Sequence, residues 1–156
     1  MFKISRTIGI KAHVDEVFNF VTDPRNWLRF VPGLISITEK SANLPMKDST
    51  FSWEYSIMGV RMSGQARVIR YEQNSPAAAG FGLLMSGRFP IKEDYTFTGR
   101  PEGTELTVEM EYDLPAPMLS EFGGQKTLEE ISALDAQNTL EKIRIMCEAR
   151  VPAGAS

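Results

Sequence analysis

Residues 89–114, FPIKEDYTFTGRPEGTELTVEMEYDL, carry the pattern on which the fold turns. Phe89, Ile91, Tyr95 and Phe97 alternate with Lys92, Asp94 and Thr96, and Glu102-Gly103 then turns the chain. Leu106, Val108, Met110, Tyr112 and Leu114 follow, alternating with Glu105, Thr107, Glu109, Glu111 and Asp113. Successive side chains of a strand point to opposite faces, so a period of two means a strand with one apolar and one wet side. Two such strands joined by a short turn pair antiparallel.

The same pattern extends upstream. Phe51, Trp53, Tyr55 and Ile57 alternate with Ser52, Glu54 and Ser56. Gly59 turns the chain, and Val60, Met62, Gly64, Ala66 and Val68 alternate with Arg61, Ser63, Gln65 and Arg67. Asn74-Ser75-Pro76 marks another turn. Ala77 to Met85 is apolar almost throughout, with Phe81, Leu83 and Met85 on one side. Leu34 to Leu114 thus reads as six strands of a meander. At the start of the chain, Phe2, Ile4, Ile8 and Ile10 form the apolar face of a further strand.

Helices flank this sheet. Val14, Val17, Phe18 and Val21 recur at helical spacing after His13, which occupies the cap position. Asp23-Pro24 starts a second short helix, with Asp as cap and Pro at the first helical position. Trp27, Leu28, Phe30 and Val31 belong to it, and Pro32-Gly33 ends it. Pro115-Ala116-Pro117 opens a short turn with Leu119 and Phe122, interrupted by Gly123-Gly124. Thr127 with Glu130 forms a capping-box pattern, which predicts a main helix from about Leu128 to Arg150. Its apolar positions, Leu128, Ile131, Leu134, Leu140, Ile143, Met146 and Cys147, drift around the axis, as a helix clasped by a curved sheet requires. The expected organisation is one α+β domain over residues 1–150 with a frayed tail at 151–156.

Composition excludes several classes. Seventeen Lys plus Arg against twenty Asp plus Glu give a net charge of -3. That balance offers no phosphate-seeking surface, so nucleic acid is not expected as a partner. The single cysteine, Cys147, rules out an internal disulfide and any multi-cysteine metal site. No apolar run approaches the roughly 20 residues that span a bilayer, and the charged N-terminus lacks a signal-peptide core. A soluble, cytoplasmic protein without integral membrane association is the expectation. The oligomeric state is not legible.

The order of strand, two short helices, six strands and a long helix resembles the helix-grip, or START-like (SRPBCC, Bet v 1-like), superfamily. Within it, the polyketide cyclase/dehydrase and lipid-transport branch is the nearest likeness. The residues that carry the resemblance are Ala12 to Phe20, Asp23-Pro24-Arg25-Asn26-Trp27, Phe30-Val31-Pro32-Gly33-Leu34 and Phe51-Ser52-Trp53-Glu54-Tyr55. It implies a curved seven-stranded antiparallel sheet around the C-terminal helix, with an apolar cavity between them. It speaks to fold more than to chemistry, since such families share a cavity and not a catalytic set.

The inward face is aromatic and methionine-rich. The candidate ligand-binding residues are Trp53, Tyr55, Met62, Phe81, Leu83, Met85, Tyr95, Phe97, Met110 and Tyr112, with the polar Glu93, Asp135 and Asn138. Methionine adapts to varied surfaces, and tyrosine brings a hydroxyl to an apolar wall. Each of these residues is equally an ordinary core residue when taken singly. Glu93 is the anomaly, because it falls on the apolar face of its strand. A carboxylate there has a raised pKa and can serve as acid, base or anchor; a bulge or a strand end would instead return it to water. Arg6 breaks the first strand in the same way, and snorkelling to solvent is its expected fate. Leu128, Asp135, Thr139, Ile143 and Met146 share one helix face, so Asp135 and Asn138 either project toward the cavity or stay in water at the helix edge, where a helical Asp ordinarily lies.

No self-contained catalytic motif is present. His13 is the only histidine and sits at a helix start without a relay partner. Gly80-Phe81-Gly82 lacks the third glycine of a dinucleotide fingerprint, and Glu109, Glu111 and Asp113 form a solvated row. No metal, nucleotide or other cofactor is expected. Two functions follow: binding or transport of a hydrophobic small molecule (lipid, quinone or polyketide-like), or a cyclase/dehydratase acting on such a molecule through Glu93, Tyr55, Tyr95 and Asp135. An inward Glu93 within hydrogen-bond reach of a tyrosine hydroxyl would favour the second. A third possibility, an interaction module with a vestigial cavity, would need an exposed apolar face on the sheet, which the polar alternation opposes.

Overall fold

The computed structural model describes residues 2–74 and 77–150. Its strands are β1 (Phe2–Ile10), β2 (Leu34–Thr38), β3 (Thr50–Ile57), β4 (Val60–Asn74), β5 (Ala78–Ser86), β6 (Ile91–Arg100) and β7 (Gly103–Tyr112). The helices are α1 (Val14–Thr22), α2 (Pro24–Phe30), α3 (Ala116–Leu119) and α4 (Gln125–Ala149), with one 3-10 turn at Ser120–Phe122. Part of the turn expected at Asn74-Ser75-Pro76, and all of the tail at 151–156, lie outside the described residues.

All seven strands form one antiparallel sheet in the order β1-β7-β6-β5-β4-β3-β2. The β6–β7 hairpin read first from the sequence pairs Tyr95 with Val108 and Phe97 with Leu106, keeping the apolar residues on one face. The helix starts also follow the sequence. The His13 imidazole accepts from the Asp15 N–H at 3.2 Å, and the Asp23 carboxylate accepts from the Arg25 N–H at 3.0 Å. Each satisfies a backbone donor that the first helical turn leaves orphaned.

Two local expectations are corrected, at the start of α4 and at Leu134. Helix α4 begins at Gln125 with Gly124 as its cap, so Thr127 and Glu130 lie inside the helix and form no capping box. Gly123 and Gly124 take φ values of 77° and 99°, which lets the chain double back from the 3-10 turn into α4 three residues earlier than a cap at Thr127 would. In β4 the alternation expected from Val60 to Val68 holds, and a bulge beyond it, between Val68 and Arg70, lets Tyr71, three residues on from Val68, pack inward as well. Leu134, counted among the apolar positions of the last helix, is 59% exposed.

Arg6 is exposed on β1 and donates to the Ser5 carbonyl at 2.8 Å, reaching solvent and not Glu93. The Gly80-Phe81-Gly82 stretch acquires a structural explanation. Side chains at either glycine would collide with the Arg70 guanidinium or press on the Asp94 carboxylate, which form an ion pair across the outer face of the sheet.

Helices α1 and α2 close one end of the sheet. Phe18 is fully buried, edge-on to Phe97 at 5.3 Å and against Tyr71 at 5.1 Å. Trp27 lies between Phe51 at 5.0 Å and Phe81 at 6.1 Å, with its indole N–H satisfied by the Val21 carbonyl. Along α4 the packing changes. Leu140, Ile143 and Cys147 of its C-terminal half are buried in the closed part of the core.

Close approach at Gly64 sets the sheet next to the cavity. A Cβ at Gly64 would stand 2.8 Å from Trp53 Cζ2 and collide with the Ser86 backbone carbonyl. Gly64→Ala should therefore lower stability by roughly 1–3 kcal/mol, the usual cost of overpacking. A urea midpoint equal to that of the wild type would contradict this close approach.

Candidate functional site

The N-terminal half of α4 does not fill the concave face of the sheet. Between them lies a cavity of about 160 Å³. Its helical wall consists of Leu128, Ser132, Asp135, Ala136 and Thr139. The sheet contributes Trp53, Tyr55 and Ile57 from β3, Met62 from β4, Phe81, Leu83 and Met85 from β5, and Glu93 and Tyr95 from β6. Val108, Met110 and Tyr112 of β7 complete it, while α2, with Val31 after it and β2 beyond, supplies Trp27, Phe30, Val31, Leu34 and Ile37.

Eleven of the thirteen candidate residues stand on this wall; Phe97 and Asn138 do not. Phe97 continues the inward face of β6 beyond Tyr95, where the ring of Phe18 covers it and removes all its exposure. Asn138 is exposed. At about 100° per residue, Leu128, Ser132, Thr139 and Ile143 cluster on one side of Asp135 and Asn138 falls on the other. Asp135 is thus the edge of the cavity face, and Asn138 lies beyond it. Thr139 lies on the helix face that the sequence assigns to Asp135, and Ser132, three residues before Asp135, is a wall residue that sequence reasoning missed.

Two carboxyl–phenol pairs stand inside the apolar wall. The Tyr95 hydroxyl donates to Glu93 Oε1 at 2.6 Å, and the Tyr55 hydroxyl donates to Asp135 Oδ2 at 3.3 Å. The Tyr112 and Ser132 hydroxyls share a hydrogen bond of 2.7 Å. No bulge moves Glu93. It pairs in regular register with Leu83 on β5 and Met110 on β7, and the surface it retains faces the cavity.

Burial sets the protonation of these groups. Loss of hydration raises the Glu93 pKa, against a smaller lowering by the Tyr95 hydrogen bond. Asp135 is raised for the same reason, with Tyr55 opposing. Burial, then the Asp135 and Glu93 charges, push the Tyr55 phenol far up, so it stays a donor at any ordinary pH. Tyr95 is raised by burial and by Glu93, and Tyr112 is pushed up to about 12, chiefly by burial. The remaining singled-out groups are placed elsewhere. His13 is an exposed helix cap, and Cys147 is a buried thiol raised to about 12 by desolvation.

Family comparison agrees with this architecture. A model described as polyketide cyclase / dehydrase and lipid transport matches residues 1–147. The chain belongs to that family. No curated protein matches the sequence. Among solved structures, the ZhuI aromatase/cyclase from Streptomyces sp. R1128 superposes with a TM-score of 0.73 at 14% identity, covering 99% of each chain. A START superfamily protein from Mycobacterium smegmatis gives 0.70 at 14% identity, over 94% of this chain and 97% of the other. Ginseng major latex-like protein 151 from Panax ginseng gives 0.67 at 16% identity, again over 94% and 97%. At such identities these likenesses speak for the helix-grip fold alone. Among the described residues, no helix is long and apolar enough to cross a membrane.

The carboxyl environment makes stability depend on pH. A carboxyl whose folded pKa is raised binds its proton more tightly when folded, so stability is full below the unfolded value and falls as pH rises through the folded value. Among the described residues, the other titratable groups on the cavity wall are Tyr95, Tyr55, Asp135 and Tyr112, and none of these is a cation. Glu93→Gln should therefore be more stable than the wild type at pH 7–8, with the gain shrinking toward the unfolded carboxyl value near 4.5. Denaturant midpoints across that range test this; a difference independent of pH would show Glu93 to be no more desolvated than in the unfolded chain.

Proposed function

We propose that the protein binds a hydrophobic small molecule in the cavity between the sheet and α4. The observation that carries this reading is the cavity itself, apolar on most of its wall and lined with rings and methionines where a packed core would have filled the space. Open space of this size is unusual in a protein interior, which is otherwise packed like an organic crystal. An apolar cavity of about 150 Å³ is already enough to take up a benzene-sized guest. A wall that is mostly apolar with a few placed polar groups is the ordinary make-up of a ligand site. Membership of a family described by lipid transport and polyketide cyclisation is consistent with this reading.

One observation favours the second reading, a cyclase or dehydratase acting on the bound molecule. Glu93 meets a tyrosine hydroxyl at 2.6 Å inside the cavity, and burial holds its proton at higher pH than usual. A buried carboxyl of this kind can exchange a proton with a substrate held against it, and a structural neighbour is an aromatase/cyclase by name. Binding leads because it needs only the cavity, whereas catalysis also needs a substrate atom placed at Glu93.

Uptake of the neutral fluorophore N-phenyl-1-naphthylamine should be saturable, with its emission enhanced and blue-shifted. Ala136 is buried on the cavity wall, so Ala136→Phe should fill the space and weaken uptake by at least about ten-fold, or 1.4 kcal/mol. Native mass spectrometry of gently purified protein gives the complementary result, a co-purifying apolar mass. No uptake by the wild type, with nothing co-purifying, would leave only a packed core. Recovery of a chemically altered ligand after incubation would instead move the assignment to the enzyme.

A further inference from the structure

We infer that the molecule this cavity is built for is an aromatic amine, bound as its ammonium ion beside Glu93. The inference rests on the binding function proposed above and names the chemistry of the occupant.

Charge is the first ground. The cavity wall carries two carboxyl groups, Glu93 and Asp135, and no Lys, Arg or His. The arginines with assigned carboxylate partners lie outside it, as in the Arg70–Asp94 and Arg88–Glu121 pairs. A fatty acid or other anionic ligand would meet two acids and no counter-charge in a low-dielectric space, where a buried unpaired charge is expensive. A cation in the same space would be paired.

Donor accounting is the second ground and is independent of charge. The indole N–H groups on the wall are already used: Trp27 donates to the Val21 carbonyl and Trp53 to the Gln65 carbonyl. Tyr55 and Tyr95 spend their protons on Asp135 and Glu93, and Thr139 donates to the Asp135 carbonyl. The Tyr112–Ser132 bond consumes one of its two protons and leaves one free. The wall has spent six of these seven side-chain donors on the protein itself and keeps acceptor capacity. Glu93 accepts through Oε1, and Oε2 has no protein partner among the described residues. A ligand complementary to such a wall brings N–H donors and does not need to be given any.

The rings supply the third. Tyr55 and Tyr95 stand against the carboxyl groups, and Trp53 and Tyr112 share the same wall. Aromatic faces attract a desolvated ammonium and pack against the ring system that carries it. The scale of the cavity fits a guest of roughly one to two aromatic rings. In this arrangement the amine's N–H groups reach Glu93 Oε2, while Tyr95 holds the other carboxylate oxygen in place.

Three near-isosteric probes separate charge from hydrophobicity: 1-naphthylmethylammonium, 1-ethylnaphthalene and 1-naphthylacetate, titrated calorimetrically at pH 7. The amine should bind at least about ten-fold tighter than the ethyl compound, and the acetate should be weakest. Glu93→Gln should bring amine and ethyl compound to within about three-fold of each other, with near-ultraviolet circular dichroism showing that the variant is folded. Equal binding of all three, or tightest binding of the acetate, overturns the amine assignment and leaves the hydrophobic cavity standing. Binding of none of them removes the cavity function and this inference with it.

Discussion

A change of side-chain size along α4 governs the rest of the structure. From Leu140 onward the helix buries Leu140, Ile143 and Cys147 against the sheet and α1, and this half closes the core. The half before it presents Ser132, Asp135, Ala136 and Thr139 to the same concave sheet. Asp135 and Ser132 meet it only at the hydroxyl ends of Tyr55 and Tyr112, and these short side chains do not fill the space behind those contacts. The sheet keeps its curve because its seven strands are hydrogen-bonded neighbour to neighbour from β1 to β2, and the gap stays open.

The opening of that gap forces the electrostatics. Once the wall is out of bulk water, any ionisable group on it must be neutral or paired, and here the pairs are tyrosines. Tyr95 and Tyr55 give Glu93 and Asp135 a donor each without bringing a positive charge. The result is a cavity whose wall carries no cation and is rich in acceptor oxygen. A lysine or arginine in place of either tyrosine would have fixed a permanent ion pair and filled the space with a long side chain.

The remaining elements serve as closures. Helix α1 puts Phe18 over Phe97 and Tyr71, and α2 wedges Trp27 between Phe51 and Phe81. The outer face of the sheet is held by ion pairs such as Arg61–Glu54 and Arg70–Asp94. Surface pairs of this kind contribute little stability each, but they keep the arginines out of the cavity. Gly80 and Gly82 make the second of these pairs possible, so a motif without the spacing of a nucleotide site has a purely steric role on the outside of the sheet.

The sequence by itself determined the strand faces and the helix starts at His13 and Asp23, and it marked Glu93 as an anomaly whose facing only the regular register of β6 decided. The faces and the starts each depend on a local period or a single capping group, and such signals survive without knowledge of neighbours. Where two local signals competed, the sequence misled. Thr127-x-x-Glu130 has the composition of a cap, but Gly123-Gly124 starts the helix earlier, because only the conformation of the glycines decides where the chain can turn. Tertiary structure alone decided that Phe97 is sealed while Tyr95 is not, since this depends on where α1 rests on β6. It also decided that Asp135 reaches the cavity and Asn138 does not. An α-helix offers a continuous range of facing angles, and only its docking on the sheet selects which edge of that range is covered and which meets water.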